Sequence, residues 1–164
     1  MPATTLTPVT DTTRPVIERL WQLYLHDLSE FRDTMPDEDG SFKAGRLPGY
    51  LVDGEDHGAY LIGTEGKLAG FVLLRGLVHE PRTISEFFVL RGVRRRRVGH
   101  EAAVTALGEH PGAWEIAFQE ENPGAARFWR RVATDVAGTS WREERRPVPG
   151  KPEIPPDVWL LLQT

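Results

Sequence analysis

Apolar residues recur at three-and-four spacing near the start of the chain, at Val16, Leu20, Leu23, Tyr24, Leu28 and Phe31. Only Asp27 interrupts the stripe. That period predicts an amphipathic helix. Ahead of it, Thr12-Thr13-Arg14-Pro15 supplies cap-type residues and a proline suited to a first helical turn. Thr4 to Thr10 reads as a short first strand, weakened by Pro8. Residues 32–57 are polar and rich in Asp, Gly and Pro. They predict a long loop with a short helix around Leu47 to Leu51, and connections of that length are usually functional or mobile.

The period then changes. Gly58 to Thr64 and Leu68 to Arg75 are apolar runs flanking Glu65-Gly66-Lys67, a hairpin pattern. Thr83 to Leu90 (TISEFFVL) is short, aromatic-rich and bounded by Pro81 and Gly92, so it reads as a strand. Gly99 to Gly108 predicts a helix with Ala, Val and Leu on one side, and Trp114 to Phe118 a strand. Asn122-Pro123 opens a further helix with Ala125, Ala126, Phe128, Trp129 and Val132 turned inward. Gly138 to Arg146 and Val158 to Gln163 read as closing strands around a proline-rich turn at 147–156. The order β-α-loop-β-β-β-α-β-α-β-β implies an α/β domain, residues 1–164, with a mixed sheet and helices on its faces.

Composition narrows the classes. Hydrophobic residues make up 40% and charged residues 27% of 164, a globular balance. There are no cysteines, so disulfides, thiolate metal sites and a cysteine nucleophile are excluded, and no metal is expected. The N-terminus lacks a signal-peptide pattern, and no apolar stretch approaches the ~18 residues of a membrane span. The expectation is a cytoplasmic protein with no membrane partner. Net charge is −4 but uneven. Asp37, Glu38, Asp39, Asp53, Glu55 and Asp56 are acidic, whereas Arg91 and Arg94 to Arg97 form a basic cluster. A basic loop in an acidic protein points to a small polyanion rather than to nucleic acid.

That loop lies between an apolar strand and a helix beginning near Gly99. A helix start offers unpaired backbone N–H groups and partial positive charge, and arginines add full charge and forked donors. Arg94-Arg95-Arg96-Arg97-Val98-Gly99-His100 is therefore a candidate pyrophosphate cradle. Arginine runs more often sit on a solvated surface. The flanking strand and helix decide for the cradle.

Here the segment resembles the GNAT superfamily of N-acetyltransferases. Their fingerprint is an apolar strand, Arg/Gln-x-x-Gly-x-Gly/Ala, then a helix. Arg94 takes the first position, Arg97 the first glycine and Gly99 the second. The family's downstream Asn-x-x-Ala, followed by a tyrosine, matches Asn122-Pro123-Gly124-Ala125 and then Trp129. Arg97 for glycine and Trp129 for tyrosine depart from the pattern. The order of elements matches over nearly the whole chain.

The resemblance implies a mixed, mostly antiparallel central sheet of six to seven strands with helices on both faces. It implies acetyl-CoA as co-substrate, held by the backbone of Arg95 to His100. The pantetheine arm would run along Phe88, Val89 and Leu90, with a strand N–H facing the acetyl carbonyl. Asn122 would bond the arm, and Trp129 would lie near the sulfur. Indole N–H is a donor but no acid at neutral pH, so the usual proton donor to sulfur is missing. Dimers are common in proteins of this kind, which makes a second copy a candidate partner.

An amine of pKa about 10 arrives protonated, so a base is needed, directly or through water. Glu86 is the first candidate, a carboxylate among apolar neighbours on the strand expected to carry the acetyl group. A salt bridge to an arginine is an equal reading of it. Glu115 on the next strand is second, and His26 and His57 are weaker. The acidic residues up to Asp56 suggest a small, cationic amine acceptor, although a solvated loop explains them too. A protein amine, or a sensor that binds acyl-CoA without turnover, stays open.

Overall fold

The computed structural model describes residues 3–164. The chain order is β1 (Thr4–Pro8), α1 (Arg14–Arg32), α2 (Leu47–Tyr50), β2 (His57–Thr64), β3 (Lys67–Arg75), β4 (Arg82–Val89), α3 (Val98–Glu109), β5 (Ala113–Phe118), α4 (Pro123–Ala137), β6 (Arg142–Arg146) and β7 (Asp157–Gln163). The seven strands form one sheet in the order β1-β2-β3-β4-β5-β7-β6. Only β4 and β5 run parallel. The mixed, mostly antiparallel sheet is thus as expected.

Alternation along the central strands builds two cores. Phe71 and Leu73 of β3 and Phe88 of β4 pack with Ile17, Leu20 and Trp21 of α1 and Leu47 of α2. Val72, Leu74 and Ile84 face the other way, against Ala103, Ala106 and Leu107 of α3 and Trp129, Val132 and Ala133 of α4. Helices therefore cover both faces. The buried line of α1 runs through Ile17, Leu20 and Trp21, while Leu23 of the expected stripe is 49% exposed. Trp21 lies one residue off that stripe, but its area makes burial more favourable than burial of Leu23.

Local chemistry sets the boundaries. Glu65 and Gly66 turn the β2–β3 hairpin with φ of 51° and 73°, the left-handed pair that a tight two-residue hairpin requires. The first strand ends at Pro8 rather than Thr10. The strand expected from Gly138 starts only at Arg142, because Gly138 ends α4 with φ 60° and the chain turns before it extends. β6 is the edge strand, and its sequence is all charge, REERR. Charged edges of this kind discourage pairing with a further strand.

Candidate active site

The strand carrying the expected site residues opens away from its neighbour. β4 pairs with β3 along its length, from Arg75↔Thr83 to Gly70↔Val89. With β5 it pairs only at Arg82↔Trp114, Thr83↔Glu115 and Ile84↔Ile116. Beyond Ile84, β5 continues against β7 alone, so the two strands splay apart. Leu90 donates to Ala69 across the β3 side at 2.8 Å. Because backbone groups alternate in direction, Val89 and Phe87 turn theirs toward the open side. The Val89 carbonyl accepts from Arg94 Nε at 2.8 Å. The N–H groups of Phe87 and Val89 have no strand opposite them. On the α4 side of the opening, the Phe87 ring meets Trp129 at 5.1 Å and Phe128 at 5.6 Å.

At the far end of β4 the chain makes a single 3-10 turn, Arg91–Val93, then enters the arginine run. Arg95 and Arg97 have φ of 65° and 67°, a left-handed conformation that costs an L-residue about 1–2 kcal/mol. α3 follows directly, with Arg97 at its N-cap and no side chain capping it. Among the described residues no acceptor takes the N–H groups of Arg95, Arg96, Arg97, Val98, Gly99 or His100. Six consecutive donors thus stand unpaired at the positive end of a helix. Gly99 sits close under it, where a β-carbon would be 3.3 Å from Val89 Cγ2 and 3.5 Å from Phe128. His100 Nε2 bonds Asp135 at 2.7 Å and ties α3 to α4.

The four arginines do not share one role. Arg94 is committed: it bonds the Val89 carbonyl, pairs with Asp27 and lies over the Phe88 ring at 5.9 Å. Arg91 pairs with the same Asp27 at 2.8 Å. Burial would raise the Asp27 carboxyl, but the hydrogen bonds from Arg91 and Arg94 outweigh it and hold the group below its usual range. The one polar residue in the α1 stripe thus anchors the loop. Arg95, Arg96 and Arg97 project into solvent without ion-pair partners among the described residues.

Glu86 lies on the opposite face of β4, under α1 and α2. Tyr24 of α1 donates its phenol proton to Glu86. Arg46, just before α2, pairs with the other carboxylate oxygen at 3.3 Å. Burial pushes the Glu86 carboxyl above its usual value, against the Tyr24 bond and the charges of Arg46, Arg32 and Arg75. Glu86 thus has an arginine partner, and burial still raises its carboxyl. Burial, then the Glu86 charge, pushes the Tyr24 phenol well above its usual value. Beside them a β-bulge leaves Ser85 without a β3 partner, and Tyr50 Oη is 2.7 Å from Ser85 Oγ. Sequence reasoning missed Tyr24, Arg46, Tyr50 and Ser85 as a group. Tyr24 was visible only as an apolar stripe residue, and Arg46 carried no signal.

The other candidate bases are placed differently. Arg146 grips both oxygens of Glu115 at 3.0 and 2.9 Å. Those bonds hold Glu115 below its usual value despite partial burial, so it is a poor base. His26 lines a cleft of about 350 Å³ with Leu23, Asp27, Phe88, Leu90 and Arg91. His57 bonds the Val52 carbonyl at 2.9 Å and borders a separate cleft of about 440 Å³ near the start of α1. Of the acidic residues of 37–56, Asp39 binds Ser41, and Asp56 accepts from the Val78 N–H at 2.9 Å. Asn122 caps α4, accepting from the Ala125 N–H at 3.1 Å. Among the described residues no group of three or more His, Asp or Glu could hold a metal ion, and no helix is long and apolar enough to cross a membrane.

Residues 17–133 match the model of the acetyltransferase (GNAT) family. The fold is similar to an acetyltransferase from Thermus thermophilus, 17% identical over 99% of this chain and 97% of that one, with a TM-score of 0.67. A spermidine N-acetyltransferase chimera from Vibrio cholerae is 12% identical over 98% of this chain and 95% of that one, with a TM-score of 0.63. An aminoglycoside acetyltransferase in complex with coenzyme A and kanamycin is 13% identical over the same shares, 98% and 95%, with a TM-score of 0.64. No curated protein sequence matches the chain.

Proposed function

The chain belongs to the GNAT acetyltransferase family and is an acetyl-CoA-dependent N-acetyltransferase, and on that premise we propose that it acetylates an amine of a small molecule by direct transfer, with Glu86 as base. The observation that carries this reading is Glu86 itself. It is a carboxylate beside the open half of β4, its side chain 13% exposed, and burial raises it toward a useful basicity. Spermidine and aminoglycoside acetyltransferases among the similar folds support a small-molecule acceptor. The reading includes a cytoplasmic setting and one domain over 1–164.

The residues present fit coenzyme A. The free N–H groups of Arg95 to His100 suit its pyrophosphate. The unpaired edge at Phe87 and Val89 suits an extended arm that adds backbone hydrogen bonds. Acetyl-CoA supplies the activated acyl group and a thiolate that leaves. The Val89 or Phe87 N–H would polarise the carbonyl. Glu86 Oε would take the proton from the ammonium, and Tyr24 and Arg46 would hold the carboxylate in place. Trp129 would shield the sulfur side without donating a proton.

Calorimetry with acetyl-CoA and a thiol-release assay across an amine panel test this. Expected are CoA binding and thiol release that depends on the amine. Glu86→Gln should cut turnover at least tenfold while leaving CoA binding intact. Tight CoA binding with no thiol release from any amine favours a sensor, the reading that the packed Trp129 indole suggests.

A further inference from the structure

Arginines and carboxylates mix on the face of the sheet that carries Glu86. Arg46 pairs with Glu86 at 3.3 Å and Arg146 with Glu115. Arg75 follows Leu73 on β3 and so turns to the same face, in the row Arg75↔Thr83↔Glu115. Arg32 ends α1 and bonds Gln119, just past β5, at 3.1 Å. The neighbouring Arg142 and Glu144 pair with each other at 3.1 Å. The charged groups acting most strongly on Glu86 are Arg46, Arg32 and Arg75, and Arg75 acts on Glu115 as well. Arg32 and Arg75 are exposed, and neither has an ion-pair partner among the described residues.

An amine that meets Glu86 must approach over this face. Its ammonium can satisfy the one carboxylate that faces it. Whatever else the molecule carries then lies among guanidinium groups. Further positive charge is repelled by Arg32 and Arg75, whereas a carboxylate finds there forked donors with no competing carboxylate. We propose that the acceptor is an amine whose own molecule bears a carboxylate near the reacting nitrogen, an amino-acid-like substrate rather than a polycation, recognised by Arg32 and Arg75. This rests on Glu86 being the amine-facing base. It reverses the expectation drawn from the acidic residues at 37–56, of which Asp39 and Asp56 bond Ser41 and the Val78 N–H instead.

The test is a thiol-release assay with acetyl-CoA on matched acceptors: several α-amino acids, their primary amides and the amines left by decarboxylation, such as leucine, leucinamide and isoamylamine, with spermidine as the polycation. Expected is a kcat/KM for the acid about tenfold or more above its amide and amine in the best series, one charge-assisted contact's worth, with spermidine lowest. Arg75→Gln and Arg32→Gln should each raise KM for the acid several-fold. They should leave CoA binding unchanged, and should lower kcat/KM for the amide far less than for the acid. Neutral amines or spermidine turning over best would overturn this inference while leaving acetyl transfer to small amines intact. Equal effects of the arginine variants on acid and amide would overturn it too. Failure of every acceptor would instead sink the proposed function. Calorimetric titration of the same series into CoA-loaded protein then reads the preference, and acids binding no better than amides would overturn the inference.

Discussion

Gly70 is where one added methyl group reaches the site through the backbone. A β-carbon there would lie 1.9 Å from the Phe88 carbonyl oxygen, 2.9 Å from the carbonyl carbon and 3.0 Å from Val89 Cα. All three are main-chain atoms of β4, so no rotamer change relieves the overlap. A carbon approaches a carbonyl oxygen to about 3.3 Å, so β3 and β4 must part locally by roughly 1.4 Å. The Leu90 N–H to Ala69 bond is 2.8 Å long, and that shift takes it to roughly 4.2 Å, beyond bonding range. Two or three ladder bonds lost at about 1 kcal/mol each put the cost of Gly70→Ala at roughly 2–3 kcal/mol. In a domain of this size that is a fall of about 4–12 °C in Tm. CoA affinity should fall with it, because the displaced residues include Val89 and its neighbours on the open edge. Thermal melting and calorimetry read both. Gly108 is the control: it lies in α3 with nothing within 4 Å of an added β-carbon. Gly108→Ala should raise stability by about 0.5 kcal/mol through helix propensity. A Gly70→Ala protein that melts within about 2 °C of wild type and binds CoA normally would refute the reasoning.

Other perturbations probe the charges and the departures from the family pattern. Burial raises the Glu86 pKa, so the group's contribution to stability is full below its unfolded value and is lost as pH rises through the folded one. Glu86→Gln should therefore gain stability on wild type as pH rises above the ordinary carboxylate range, and melts that keep a constant difference as pH rises reject the idea. The wild-type rate should rise with pH on an acid limb above the ordinary carboxylate range, and the Gln variant should lack that limb. Arg97 holds φ at 67°, so Arg97→Gly should stabilise by up to about 1 kcal/mol. CoA affinity should stay within a few-fold, since the N–H is kept; a tenfold loss would give the side chain the phosphate contact. Trp129 packs on Phe128 at 4.8 Å and Phe87 at 5.1 Å. Trp129→Tyr should cost about 1–2 kcal/mol in packing yet raise kcat several-fold by supplying a proton to the leaving sulfur; unchanged kcat would mean that thiolate departure needs no acid.

The element order was readable because each segment's apolar period agrees with its final environment. The β2–β3 hairpin, the β4 run and the three long helices lie within a few residues of expectation. Failures came where burial competed with pattern. Trp21 displaced Leu23 from the α1 core line, and the turn that begins at Gly138 took the start of a strand. The splay of β4 from β5 was not visible at all. It depends on how far two parallel strands stay in register, and that is a property of the assembled sheet.

Charge pairing was hidden more deeply, because the partners lie far apart in the chain. Tyr24 and Glu86 are separated by 62 residues, Asp27 and Arg94 by 67, and Glu115 and Arg146 by 31. Composition sees an acidic segment and a basic run; topology decides which charges meet. The basic run divides: Arg94 serves Asp27 and the Val89 carbonyl, while the backbone N–H groups of its neighbours stay unpaired. In the acidic segment, Asp39 turns to the Ser41 hydroxyl and Asp56 to the Val78 N–H. The charges around Glu86 come from α1, the approach to α2 and the end of β3, each contributing one arginine. A field assembled from three separate elements cannot be summed from any window of sequence, and here its sign is opposite to the one the nearest acidic window suggests.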